Sequence, residues 1–414
     1  MTFPIDAVRA RFPALTVTDE GRPRIYFDAP GGTQVCAEAI DAMSAHLRAG
    51  TANLGGPFAT SVECGALSRE AHAAAADLIG GHADEIAFGP NMTSLTFALS
   101  RALSQSWQAG DEIVLTRLDH DANVTPWVLA ARDRDVSVRW LDIDVDTGEL
   151  RIDDLAGMLS PRTKLVAFGG ASNALGTLND VAAITGIVRH GSDALTFVDA
   201  VQSVPHVPTD VVTLGCDFLA CSPYKFFGPH MGVLWGRAAR MKDIAAYKVR
   251  PATEHPVALR FETGTPSFES QAALIGTIDY LAWLGRDGLA APVERRAALH
   301  AAMTAFADYE TDLMRRLMDG LSSIAGLRLY GPQRVERRVP TFAFTLAGHE
   351  PATVAAHLGS RGIHASAGHF YAVEPVRRLG LEASGGLVRV GLCHYNTAAE
   401  VDRLIEALAE LAAQ

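Results

Sequence analysis

The segment Cys221-Ser-Pro-Tyr-Lys225-Phe-Phe-Gly-Pro-His-Met-Gly232 sets one lysine among aromatic and glycine residues at the end of an apolar run. An amine with little water around it is neutral part of the time, and a neutral amine can form an imine with an aldehyde. The chain holds only four lysines against 32 arginines, so few residues compete for that role. Lys164 lies in a Pro-Arg-Thr turn, and Lys242 and Lys248 lie in a polar stretch; all three are expected to be solvated. Ser222 adds a hydroxyl that can donate to a phosphate. A second segment, Phe197-Val-Asp199-Ala-Val-Gln202-Ser, places an acid directly after an apolar run. Such a carboxylate can pair with a protonated pyridine nitrogen and strengthen the ring as an acceptor of electrons. Alone, it would read as an ordinary helix cap.

Other segments share that placement. Phe88-Gly-Pro-Asn91-Met92-Thr93-Ser94 precedes an apolar helix over Leu95–Leu103, where free N–H groups and the dipole suit a phosphate. Leu118-Asp-His120-Asp-Ala-Asn123 follows the run EIVLT and offers an imidazole that can stack on an aromatic ring. Gly170-Ala-Ser-Asn173-Ala-Leu-Gly176-Thr follows KLVAFG but lacks G-x-G-x-x-G spacing, which argues against a nicotinamide oxidoreductase. Each pattern is common by itself. Their order, always at the end of an apolar run, points to pyridoxal 5′-phosphate, with Lys225 as its Schiff-base lysine and Asp199 at the ring nitrogen.

The elements that must hold these residues alternate. Glu112–Thr116, Val136–Ile143, Lys164–Gly169, Ala194–Asp199, Asp217–Ser222 and Met231–Trp235 read as buried strands, with helical patterns such as Val124–Arg134 and Val181–His190 between them. That rhythm predicts a largely parallel α/β sheet, whose ligands sit at the carboxyl ends of the strands. After Thr265 come helices over about 267–284 and 293–322, strands at Leu327–Tyr330 and Thr341–Leu346, a helix over Ala352–Arg361, a strand over Leu387–Cys393 and a helix over Ala398–Ala412. The division expected is a large domain over 20–285 and a smaller α+β domain over 286–414, with 1–19 packed against the latter.

A formal net charge of −11 argues against a nucleic-acid or anionic-membrane surface as the main partner. The five cysteines are scattered, with no C-x-x-C pair, so neither a disulfide framework nor a metal site follows. With neither a signal-peptide core nor a long apolar run, the expected compartment is the cytoplasm.

Ser-Asn173-Ala-Leu-Gly-Thr, Val-Asp199-Ala-Val-Gln202-Ser-Val-Pro-His and Ser222-Pro-Tyr-Lys225 resemble the class V aminotransferase family of fold-type I enzymes, most closely its cysteine desulfurases. The likeness runs from Tyr26-Phe-Asp-Ala-Pro-Gly-Gly32 to Tyr395-Asn-Thr-Ala-Ala-Glu-Val-Asp402. It implies a homodimer sharing its active sites, with an amino acid as substrate. Gln202 and Asn173 would lie near the ring hydroxyl and His120 on the ring face. Met92, Thr93, Ser222 and Tyr224 would hold the phosphate, completed by Thr265 of the neighbouring subunit. Arg389 would grip the substrate carboxylate, with Gly32 and Tyr371 also in the substrate's part of the site.

This sequence departs from the family in informative places. Pro223-Tyr224 stands where the family has Gly-His, leaving a phenol as the donor. Tyr371, in Ala365-Ser-Ala-Gly368-His-Phe-Tyr371, stands where desulfurases carry their persulfide-forming cysteine, and a second arginine expected near Ser366 is absent. Without that thiolate, C–S lyase-type β-elimination is the preferred expectation. Transamination and epimerisation on the same fold are the alternatives, and a degenerate fold kept only for binding is a third.

Overall fold

A computed structural model describes residues 3–287 and 294–414. Its main sheet has seven strands: β1 (Ile86–Gly89), β2 (Glu112–Thr116), β3 (Ser137–Leu141), β4 (Thr163–Gly169), β5 (Leu195–Asp199), β6 (Phe218–Cys221) and β7 (Gly232–Gly236). They lie in the order β1-β7-β6-β5-β4-β2-β3, with β7 antiparallel to both neighbours and the remaining pairs parallel. Both faces of the central strands are covered, which is why their sequences read as unbroken apolar runs. Val114, Val166, Val198 and Leu219 face one core, while Ile113, Leu165, Phe197 and Ala220 face the other.

The helices used below are α1 (Ala37–Ala49), α2 (Ala59–Ile79), α3 (Met92–Leu103), α4 (Thr125–Arg132), α5 (Val181–Gly191), α6 (Phe268–Asp287) and α7 (Arg295–Ser323). The helix expected from 293 thus begins at Arg295, and Val293 itself lies outside the described residues. Beyond α7, a four-stranded antiparallel sheet has the order β8-β9-β11-β10, formed by β8 (Leu327–Tyr330), β9 (Thr341–Leu346), β10 (Ser366–Gly368) and β11 (Leu387–Gly391). Helix α8 (Pro351–Gly359) and helix α9 (Ala398–Ala412) complete this part. A Thr397 capping box opens α9: Thr397 accepts from Glu400 N, and the Glu400 carboxylate accepts from Thr397 N at 3.0 Å.

Two early segments join distant parts of the chain. Ile25–Tyr26 pairs in parallel with Ile363–His364, and Phe27 lies in the core of the smaller sheet. Residues 25–27, counted with the large unit in the expected division, therefore pack with the C-terminal part. The Phe12 ring meets Phe227 and Tyr280 as well as Tyr395, which follows β11, so the N-terminal segment touches residues from both parts of the chain within one core cluster. Among the described residues, no helix is long and apolar enough to cross a membrane.

Candidate active site

The carboxyl ends of β1, β2, β4, β5 and β6 share one edge of the sheet, and the singled-out residues follow them directly. Asp199 closes β5 in register with Gly169 and Ala220. Lys225 ends a single 3₁₀ turn, Pro223–Lys225, just past β6. Met92 and Thr93 open α3, where the Asn91 side chain caps the helix by accepting from Ser94 N at 2.8 Å. Gly232 has to be glycine here: a Cβ would fall 2.4 Å from the Asn91 carbonyl carbon, pushing the helix start away.

These residues enclose two adjoining cavities. The inner one, about 60 Å³, is lined by Met92, Thr93, His120, Asn173, Asp199, Gln202, Ser222, Tyr224 and Lys225. The outer one, about 550 Å³, shares Lys225, His120, Asn173 and Tyr224 and adds Phe97, Asp121, Phe370, Tyr371 and Arg389.

Lys225 is buried and, among the described residues, has no acidic ion-pair partner; its Nζ donates to the carbonyls of Pro30 and of Gly31, the latter at 3.1 Å. Burial, with Arg389 nearby, lowers its pKa to about 7. Asp199 is pushed up to about 6 by burial, while the Val201 N–H on Oδ1 (3.0 Å) and Lys225 pull the other way. His120 falls to about 4 through burial and the charges of Lys225 and Arg389. Its Nδ1 accepts from Ala122 N at 3.0 Å, which leaves the proton of the neutral ring on Nε2. Gln202 donates to Pro30 O at 2.9 Å and so fixes the carbonyl that also holds Lys225.

Arg389 comes from β11 in the smaller sheet. It donates to Asn173 O at 2.9 Å, lies under the Phe370 ring at 4.2 Å, and keeps its Nε buried without a partner among the described residues. Burial lowers its pKa to about 10, so it remains charged near neutrality. Asn173 donates to Phe370 O at 2.8 Å, while its own Oδ1 is buried and has no partner among the described residues. Phe370 and Tyr371 both have left-handed backbone, φ 54° and 58°, a strained choice for two consecutive aromatic residues. Asp121 N donates to Tyr371 O at 2.7 Å and His369 Nδ1 accepts from Tyr371 N at 3.0 Å, which holds the loop over His120.

Several expectations are corrected. Gly32 does not line either cavity; a Cβ there would lie 3.2 Å from Tyr224 Cδ2, so it serves as a close packing point while Pro30 and Gly31 face Lys225. Thr265, expected to serve the neighbouring subunit, lies in a separate cavity with Ser94 and His230, away from Lys225 of its own chain, which does not depart from that expectation. Lys248 is not solvated: it pairs with Glu254 at 2.7 Å and is mostly covered. Sequence reading also missed Asp119, a buried acid lining the inner cavity that accepts from Thr116 Oγ1 at 2.7 Å. Burial, opposed by Thr116 and aided by Asp199, raises it to about 8. Its position directly before His120, after a strand, was the available signal.

The profile of the family described as aminotransferase class-V matches residues 25–404. The chain belongs to that family. It is 32% identical to the aminotransferase-like protein FGM3 of Gibberella zeae, over 98% of each chain. It is also 32% identical to a cysteine desulfurase of Klebsiella pneumoniae, over 99% of this chain and 98% of the other. The apo structure of a cysteine desulfurase from Thermococcus onnurineus NA1 superposes with a TM-score of 0.86 at 27% identity, covering 100% of this chain and 99% of that one. This class V enzyme has the fold-type I architecture and depends on pyridoxal 5′-phosphate to act on amino acids.

The residues fit that cofactor. A buried carboxylate faces a buried amine of lowered pKa, the Asn173 Oδ1 beside them has no partner, and the start of α3 opens on the same space. All five cysteines of this class V enzyme are free and buried, and none lines either cavity.

Proposed function

We propose that the chain carries out C–S lyase-type β-elimination on an amino acid, in the manner of a cysteine desulfurase-like enzyme that has no thiol to receive the sulfur. The supporting observation is Lys225, a covered amine with a pKa near 7 that lines both cavities, the inner one with Asp199 and the outer one with Arg389, and neither with a cysteine. Pyridoxal phosphate, when bound, supplies a sink for the electron pair left at Cα as its proton departs. Lys225 is matched to take and return that proton, and the Pro30 and Gly31 carbonyls fix its direction. Asp199 is anionic above about pH 6 and balances a positive ring nitrogen. His120, neutral at working pH, offers an uncharged stacking face. Ser222, Tyr224 and Thr93 with the N–H groups at the start of α3 suit the phosphate. Arg389, whose guanidinium is held by Asn173 O and lines the outer cavity, suits the substrate carboxylate.

In the elimination, Cα–H and Cβ–S both break, the thiolate leaves with the sulfur electron pair, and the carbon skeleton ends, after hydrolysis, as pyruvate and ammonia. The separate position of Thr265 supports a homodimer in which that threonine serves the site of the other copy. Free, buried cysteines fit a reducing cytoplasm. The test is a product assay with L-cysteine and S-substituted cysteines. Thiol or sulfide released together with pyruvate is expected; a keto acid without thiol, or an inverted enantiomer, would overturn the elimination.

A further inference from the structure

Two basic side chains line the outer cavity, and both have roles in the proposed reaction. Lys225 serves the cofactor and the proton, and Arg389 the carboxylate. The charged group left over in its lining is Asp121. Its Oδ2 accepts from Thr125 Oγ1 at 2.8 Å; among the described residues, Oδ1 accepts no hydrogen bond and no basic side chain pairs with the carboxylate. Around it stand Phe97 and Tyr371, the latter 67% exposed with its ring 5.6 Å from that of His120. A half-buried carboxylate with a free oxygen beside aromatic faces attracts a cation through both charge and ring quadrupole.

We propose that this enzyme selects α-amino acids whose side chain ends in a cationic group, and that Asp121 receives that group. The inference rests on the assignment of Arg389 to the α-carboxylate. Arg389 and Asp121 line the same cavity, and an anionic side chain would meet Asp121 unfavourably.

Three cysteine thioethers of similar length test it on the holoenzyme: S-(2-aminoethyl)-L-cysteine, S-propyl-L-cysteine and S-carboxymethyl-L-cysteine. Affinity is read from the change in cofactor absorbance, which needs no turnover. The aminoethyl compound should bind at least about tenfold more tightly than the propyl compound, with the carboxymethyl compound weakest. Asp121→Asn should bring the aminoethyl-to-propyl ratio close to one, and Asp121→Glu should retain most of it. The Asp121 N–H that holds Tyr371 is unchanged in either variant. Equal affinities in the unaltered enzyme, or an unchanged ratio in Asp121→Asn, would overturn the selection while leaving the elimination standing. If none of the three compounds, nor any plain amino acid, perturbed the absorbance, the parent assignment of the site would fall as well.

Discussion

The floor of the cavity hangs from strand ends, whereas its mouth is a loop from the far end of the chain held in left-handed backbone. On the floor, Asp199 closes β5 and Lys225 follows β6 by one turn; their positions are set by hydrogen bonds of the central sheet. At the mouth, Phe370 and Tyr371 are kept in place by Asn173, Asp121 and His369, each contributing one hydrogen bond to their backbone. Strand ends in a doubly covered sheet move little, so they suit steps common to every substrate. A strained loop stabilised by a few contacts can change with little effect on the fold, so it suits the choice of substrate.

The comparison breaks most clearly on the floor. Asp199→Asn keeps the shape of the side chain and removes its charge, and should lower kcat by about 10²- to 10³-fold for every substrate alike. An effect confined to one substrate would contradict a floor shared by all. Arg389→Ala should raise KM for carboxylated amino acids by about 10²-fold, with much less effect on the matching decarboxylated amines; equal loss for both would remove Arg389 from the carboxylate. Capture of the cofactor by the apo-protein sharpens the floor from another side. Burial lowers the Lys225 pKa, so the amine is protonated below about 7 and nucleophilic above it. The capture rate, followed by absorbance, should climb about tenfold per pH unit up to that point and then flatten. A rate still climbing towards the ordinary lysine range would show an amine exposed to water. The smallest effect belongs to the mouth: Phe370→Leu removes a ring from one face of Arg389 and should raise KM about fivefold with kcat held. A matching fall in kcat would tie the loop to the chemical step.

Much of the floor was legible because its elements are buried runs of period and length that few alternatives share. Glu112–Thr116 forms a strand with those bounds, and the other five strands expected for the main sheet form with ends moved by a residue or two. The residues after them converge on one space, as open parallel α/β sheets require of strand ends. What stayed hidden has physical reasons. The carbonyls of Pro30 and Gly31 that hold Lys225 are backbone atoms and leave no side-chain signature. Helix α2 buries Ala71, Ala74 and Ala75, and alanines blur the contrast on which helical periodicity depends. The cover of Phe370 on Arg389 depends on a left-handed turn in the loop, and nothing in Gly-His-Phe-Tyr prescribes one for aromatic residues. Asp119 gave one faint signal, its place after a strand; its burial shows only where β2 and β4 bring it to Gly169, whose Cβ would lie 2.6 Å from Oδ1.

Reducing the holoenzyme with borohydride and mapping the labelled peptide by mass spectrometry tests the central claim most directly. The cofactor mass should be found on Lys225 alone among the four lysines, and Lys225→Ala should carry none. Label on Lys164, Lys242 or Lys248, or label undiminished in Lys225→Ala, would contradict it.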